Sequence, residues 1–559
     1  MNAETISPSS QQRVPADVAR TVHDKAQTRL LSWALVAIAI LFVVARALPI
    51  LSCPIGRDQG TYLTVAQGLL EGKQLYRDVY DIKPPGIYIV YAGIAKLFGR
   101  VMWSVAVADV LLLLAISYLL FRFIEPYLGR AGAACAVMVH ASMHGAMLYQ
   151  WIAQAETFQL VCVLGSILVM RPSPRCWKAA CFAAGLLFGY GCWLKYNALA
   201  FLPVLVLLPY LDRNALDRQS PHVSLTIPWR GWLVKIALLL TGIAAAIGIV
   251  LAWIVLNGGW PAMKEAQFDV LPRYAAMAVE RNPHYLLSVF VRTNSYLGIR
   301  NLSAILAGLF VAWRRRDLGR FAPLFLATLS AYAATVMQVR FHHYYFQVCF
   351  PFLAAIWAYL VVSIYEGSRA LVRNFRQRGW GLAAGLVWIV FAQAVFWPLP
   401  DEFNKLTMRY EELREWRADP ETFYSHYQRQ LPFEALAGQL AVIHHLEKNS
   451  GPSDPVYLWG AHCAIYFLSG HQPPTRFVSN EFIMSPWCPY SWRKELMRDL
   501  RNAQPRYIIV ARHDAMPTIT YVDLDSEDYI KTFPELRAFI TSGYSPVADF
   551  DTFVVYRRN

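Results

Sequence analysis

Apolar stretches of membrane-spanning character recur along this chain, and every second loop between them is short and basic. Crossing a bilayer as a helix takes about 20 mostly apolar residues. Candidate stretches cover residues 30–50, 101–123, 131–150, 157–170, 176–195, 198–211, 232–256, 301–313, 321–337, 346–364 and 381–397. This repetition predicts a polytopic α-helical membrane protein with about eleven transmembrane helices. Of the 559 residues 56% are apolar and 16% charged, whereas soluble domains carry about 25% charged residues. A single soluble globule, a disordered chain and a disulfide-stapled scaffold are thereby excluded. The net charge of +14 is explained by basic cytoplasmic loops, so the expected partner is a lipid bilayer and no nucleic acid. The nine cysteines are scattered and show neither CxxC nor Cys/His spacing, which supports no zinc or redox motif.

The basic loops also orient the chain. Arg122/Arg130, Arg171/Arg175/Lys178, Arg213/Arg218/Arg230, Arg314/Arg315/Arg316/Arg320 and Arg369/Arg373/Arg376/Arg378 fall in alternate connections. Because Lys and Arg concentrate in cytoplasmic loops, residues 1–29 are expected to be a cytoplasmic tail. Its apolar continuation is too extended for a cleaved signal peptide. Residues 30–400 then form a transmembrane domain with a first periplasmic loop at 51–100, and 401–559 follow as a periplasmic α/β domain. Within the loop, 84–98 is expected to be a juxtamembrane or re-entrant helix begun by Pro84-Pro85, since proline suits a first helical turn. In the last domain, 455–459, 506–511 and 553–556 read as short strands, and 432–448 and 491–502 as helices.

With this orientation, unusual polar residues gather at the outer face. Asp58 and Gly60 open a helix expected at 61–71, and Tyr76-Arg77-Asp78 and Asp81-Ile82-Lys83-Pro84-Pro85 follow. Glu156 lies after the third stretch, Lys195 ends the fifth, and Arg340-Phe341-His342-His343-Tyr344-Tyr345 fills a later outer turn. Alone, Asp58 reads as a helix N-cap and Lys83 as a residue snorkelling to headgroups. Their convergence suits a site, because ionisable groups at membrane depth are costly and mark pathways or sites. Lys83, Arg340 and Lys195 would hold a phosphate. A carboxylate, Asp58 or Asp81, would deprotonate an attacking hydroxyl. Asp78, Glu156, His343 and Tyr344 would meet substrate. Outside the cytoplasmic membrane nucleotide sugars are absent, so the donor would be a polyprenyl phosphate sugar. Asp109 and Arg46 suggest no role, and His471 and Arg476 read as parts of a buried strand and turn or as residues facing the acceptor.

The first-loop acid Asp58, the stretch Tyr76 to Pro85 with its Lys83-Pro84-Pro85, Glu156, the His343-Tyr344 turn and the outer α/β tail resemble the GT-C fold glycosyltransferases. The nearest branch contains the protein O-mannosyltransferases and the lipid A aminoarabinose transferase. The resemblance implies an inverting sugar transfer from a polyprenyl phosphate donor to an envelope lipid, polysaccharide or protein in the periplasm of a bacterial inner membrane. It implies Asp58 as catalytic base and Lys83 as a contact of the donor phosphate. Many relatives carry a second acid directly after the first, and Gln59 stands there here. The base role therefore rests on Asp58 alone or is shared with Asp78 or Asp81. A divalent ion usually needs more than one carboxylate, so no metal and no cofactor is expected. Two other classes stay open. A surface-glycan polymerase or ligase with a lipid diphosphate donor would draw on Arg273, Arg281, Arg292 and Arg300. A secondary transporter would need inverted repeats and midplane ionisable groups.

Overall fold

The computed structural model describes residues 16–147, 149–171, 176–216, 229–281, 283–377, 399–427 and 434–559. Helices dominate the first part: α1 (Ala16–Ala47), α2 (Arg57–Leu70), α3 (Gly86–Phe98), α4 (Ser104–Gly145), α5 (Ala155–Met170), α6 (Trp177–Leu194) and α7 (Leu202–Leu216). They continue as α8 (Trp229–Leu256), α9 (Trp260–Lys264), α10 (Leu271–Arg281), α11 (Pro283–Arg315), α12 (Leu318–Val336) and α13 (Phe350–Gln377). Four of the described helical segments are long and apolar enough to cross a membrane: Arg29–Ser52, Ser104–Gly145, Arg230–Leu256 and His343–Arg369. Leu30, Leu41, Ile249, Leu306, Phe310 and Leu329 turn outward and exposed, as lipid-facing side chains must and soluble surfaces avoid. The chain is a helical membrane protein.

Helix boundaries differ from the sequence expectation for physical reasons. The stretches 101–123 and 131–150 belong to the single element α4, broken at Gly129, whose φ of 69° only glycine adopts readily. The stretch 301–313 is the end of α11, whose earlier apolar residues are interrupted by Arg292, Asn294 and Arg300. The stretches 157–170 and 198–211 become the short apolar helices Ala155–Met170 and Tyr196–Leu208. The stretch 381–397 lies outside the described residues. The expected juxtamembrane helix is α3, with Pro85 at its N-cap. Two of the basic turns meet in space, since Arg171 donates to the carbonyls of Arg122 and Phe123 (2.7 and 2.8 Å).

After the polar helix Leu399–Ala418, which has no apolar periodicity and was not expected, the chain forms a small α/β unit. Its sheet has the order β1-β2-β4-β3, with β1 (Val456–Trp459), β2 (Tyr507–Ala511), β3 (Tyr544–Asp549) and β4 (Phe553–Arg558). β1 and β2 are parallel, and β4 runs antiparallel to both β2 and β3. The three buried strands were legible as apolar runs, whereas β3 is an exposed edge strand bulged between Pro546 and Ala548. Helix Leu436–Asn449 starts later than expected, and Ser491–Ala503 matches its expected span closely.

This unit docks on α2. A Cβ on Gly60 would come within 2.6 Å of the Ala464 nitrogen, so only glycine permits the approach. Thr64 donates to the Cys463 carbonyl (2.8 Å), and Tyr80 N–H donates to the Arg476 carbonyl (2.7 Å).

Candidate active site

α2 begins at Arg57, four residues before its expected start, and its N-cap is Gly56, without a side-chain cap. Asp58 is therefore not the cap. Its carboxylate is held by side chains instead: Arg57 donates to Oδ1 from Nη2 and Nε (2.8 and 3.3 Å). Oδ2 accepts from the hydroxyls of Tyr62 (3.4 Å) and Tyr344 (3.3 Å) and lies 3.5 Å from Lys83 Nζ. Burial pulls this carboxyl upward, but Lys83 and Arg57 outweigh it and hold it well below the usual carboxylate range.

Lys83 sits on a loop whose backbone is fixed from three sides. Tyr88 in α3 accepts from the Lys83 N–H (3.1 Å), Tyr76 donates to the Lys83 carbonyl (2.7 Å), and Gln267 Nε2 donates to the carbonyls of Ile82 and Lys83 (3.1 and 3.2 Å). Gln267 lies in a π-helical turn, Glu265–Val270, a deformation frequent at functional sites. Asp81 accepts from the Ile82 N–H on Oδ1 (2.7 Å) and from the Tyr88 hydroxyl on Oδ2 (2.8 Å). Burial pushes its carboxyl above its ordinary value. The two nearby acids are thus driven in opposite directions, a pattern that separates roles.

Both acids border a cavity of about 710 Å³, along with Lys83, Lys195, Arg340 and the turn His342 to Tyr345. Lys195 forms a buried ion pair with Glu156 and lies 3.7 Å from the centre of the Tyr345 ring. Arg340 is committed to the protein: it donates to the carbonyls of Tyr274 (2.8 Å) and Thr518 (3.3 Å) and to the Tyr521 hydroxyl (2.7 Å). His343 stacks on Trp151. Asp78 does not border the cavity; it pairs with Arg77 and accepts from the Gln74 N–H, so a substrate contact is not carried forward for it. Arg476 is fixed between Glu265 and Glu495, and His471 is buried among Ser450, Gly451 and Ser469. Neither borders the cavity.

Asp109 and Arg46, for which the sequence suggests no role, do not pair with each other. Asp109 binds the His144 ring and the Ala153 N–H (2.8 and 2.7 Å), and Arg46 donates to the Ser142 carbonyl (3.1 Å). Gln59 points away from the cavity and donates to the carbonyls of Tyr149 and Ile152 (3.1 and 2.9 Å). Among the described residues no group of three or more His, Cys, Asp or Glu side chains is placed to hold a metal.

Sequence reasoning assigned no role to Arg57, Tyr62, His342, Glu434 or Glu481, which all border the cavity. Burial and the nearby Arg340 push His342 down to about 3, so its ring is neutral. Glu434 and Glu481 come from the C-terminal unit, and burial raises them to about 7 and about 6. Arg57 could have been found from its adjacency to Asp58 in one helical turn. Nothing local marks the two glutamates, which reach the site only through docking.

Residues 82–253 match the family model described as dolichyl-phosphate-mannose-protein mannosyltransferase, a segment that includes Lys83, Glu156 and Lys195 but not Asp58. No curated protein matches the chain in sequence. Among solved structures, ArnT from Cupriavidus metallidurans bound to undecaprenyl phosphate is similar with a TM-score of 0.52 at 16% identity, covering 94% of this chain and 97% of that one. Its apo state gives 0.54 at 15%, covering 94% and 98%. The fold is that of the GT-C membrane glycosyltransferases. The match to the mannosyltransferase family model is confined to residues 82–253, and the likeness to ArnT is one of fold.

Proposed function

We propose that the protein transfers a sugar from a polyprenyl phosphate donor to a cell-envelope acceptor, with inversion and with Asp58 as general base. One observation carries this reading: a half-buried carboxylate flanked by Lys83 and Arg57 faces a cavity large enough for a sugar and a phosphate headgroup. Asp58 is preferred to Asp81 because Asp81 is buried and clamped by the Ile82 N–H and the Tyr88 hydroxyl, whereas the Asp58 side chain keeps 15% exposure and stands 3.5 Å from Lys83. Lys83 and Lys195 serve the donor phosphate, and the aromatic rings beside them the sugar or the prenyl chain. Glu156 holds Lys195 in place.

The resting site keeps Asp58 a weak base, and donor binding answers this. A lipid phosphate that engages Lys83 withdraws that cation from Asp58, and the carboxylate recovers basicity as the acceptor hydroxyl arrives. The proton leaves the hydroxyl for Asp58 as its oxygen attacks the anomeric carbon, and the polyprenyl phosphate departs with the bonding pair. The ArnT structure contains undecaprenyl phosphate, which favours a monophosphate donor. Of the arginines that suited a diphosphate donor, Arg273, Arg292 and Arg300 do not line the cavity. The positive-inside pattern supports placing the site and residues 401–559 on the periplasmic side of an inner membrane and residues 1–29 in the cytoplasm.

The test compares envelope glycolipids of a deletion strain, the wild type and a strain carrying Asp58→Asn by mass spectrometry. The proposal expects one species to lose a sugar mass in both mutants. Identical glycolipid and glycoprotein profiles in all three strains would remove the transferase reading.

A further inference from the structure

We propose that Glu481, carried by the C-terminal unit, binds a hydroxyl of the carbohydrate substrate beside the Arg57–Asp58 pair. This rests on the transferase reading and adds to it a sugar-recognising side chain outside the membrane helices.

Glu481 heads the short helix Glu481–Met484 and borders the cavity. Its side chain keeps 17% exposure, and Oε2 lies 3.6 Å from Arg57 Nη1. That oxygen is buried and accepts no hydrogen bond. Arg57 does not fill the vacancy, because its Nε and Nη2 bind Asp58 and its Nη1 turns to the Met516 sulfur (2.7 Å). The side chain thus borders the cavity through atoms other than the buried Oε2, and no hydrogen bond to Oε2 fixes the carboxyl in this position. Its support is rigid. Asn480, the preceding residue, donates to the Ser526 hydroxyl (2.6 Å), and Phe482, the following one, packs edge-on against Tyr80.

Contacts run in order from Lys83 to Asp58 (3.5 Å), Arg57 (2.8 Å) and Glu481 (3.6 Å). If the phosphate lies at Lys83 and the attacked carbon near Asp58, a group two contacts further on meets the sugars, not the prenyl chain. Carbohydrate hydroxyls are donors, and a hydroxyl bound to a carboxylate makes a strong, short hydrogen bond. The carboxyl, raised to about 6 by burial, gains from any hydroxyl donor that reaches it. The hydroxyl can belong to the donor sugar or to the acceptor.

The experiment uses the full-length protein in nanodiscs, with Glu481→Gln and Glu481→Ala. Binding is measured for undecaprenyl phosphate and for the same lipid carrying glucose, galactose, mannose or arabinose. Transfer is measured with an envelope lipid extract as acceptor. We expect the wild type to bind one sugar-bearing lipid more tightly than the bare lipid. Glu481→Ala should reduce that preference about tenfold or more while leaving bare-lipid affinity unchanged, and Glu481→Gln should retain part of it. An unchanged donor preference with a raised KM for the extract assigns the hydroxyl to the acceptor. Unchanged preference and unchanged KM overturn the proposal, as does equal loss of bare-lipid binding, which would mean that Glu481 acts only by holding Arg57. A wild type that does not bind undecaprenyl phosphate removes the transferase reading instead.

Discussion

Asp58 and Gln59 are adjacent in sequence and point apart: the carboxylate faces the cavity while the amide is buried against the carbonyls of Tyr149 and Ile152. The second position of this pair is therefore used to tie α2 to the turn before α5. Gln59→Glu would set a carboxylate against two acceptors. We expect a stability loss of about 1–3 kcal/mol, the usual result of leaving buried polar groups unpaired, read as a lower Tm in detergent. Transfer should not become metal-stimulated; a metal-dependent gain in rate would show that position 59 can reach the site.

Asp58→Asn should fold normally, bind donor nearly as before and lose turnover by about 100- to 10,000-fold, the range for general base catalysis. Asp81→Asn should mainly lower the Tm, because it weakens the clamp on Ile82 and Tyr88. Single-turnover transfer by both purified variants decides between them. Wild-type rates for Asp58→Asn with loss for Asp81→Asn would move the base to Asp81.

Lys83→Ala should weaken undecaprenyl phosphate binding by roughly 1.5–3 kcal/mol, the value of a hydrogen bond to a charged group. Lys83→Arg should restore part of this, since the charge remains while the geometry changes. Equal affinities in all three proteins would take Lys83 out of the donor site.

Much of this was legible because it is local. Asp58, Lys83, Glu156, Lys195 and the His343-Tyr344 turn stand at ends of apolar stretches, and orientation by basic loops collects them on one face. Strands β1, β2 and β4 were legible as short apolar runs. The rest depends on distant pairing. Glu434 and Glu481 lie far from Asp58 in sequence, and only the docking of the C-terminal unit brings them in. Asp78 misled because it shares a loop with Asp81 and Lys83, yet an adjacent Arg77 satisfies it at the surface.

Stability should fall as the pH rises through neutrality. Glu434 is buried and its carboxyl lies at about 7 in the folded protein, above an ordinary glutamate value of about 4.3. The folded state therefore holds this proton more tightly than the unfolded chain. Its contribution is complete below the unfolded value and is lost as the pH rises through about 7, a difference of roughly 3 kcal/mol. Glu434→Gln should flatten the Tm profile between pH 5 and 8; an unaltered profile would show that Glu434 does not titrate there.

The proposed orientation can be tested with an impermeant maleimide on spheroplasts in a Cys176→Ser background. Cysteines replacing the exposed Arg77 and Val547 should label, and one replacing Arg316 should not. Labelling only at position 316 would invert the topology.

The contact of Gly60 with the Ala464 nitrogen has a consequence for protein engineering. Where two parts meet at backbone distance, the seam is keyed like a lock, and any graft must carry both halves of the key. Exchanging residues 401–559 for the matching part of a relative should yield working hybrids only when the donor is small at position 464 and straight at its main chain. A bulkier graft would lever the first turn of α2 outward and spread Asp58 from Lys83, leaving a protein that inserts and folds yet has no assembled centre.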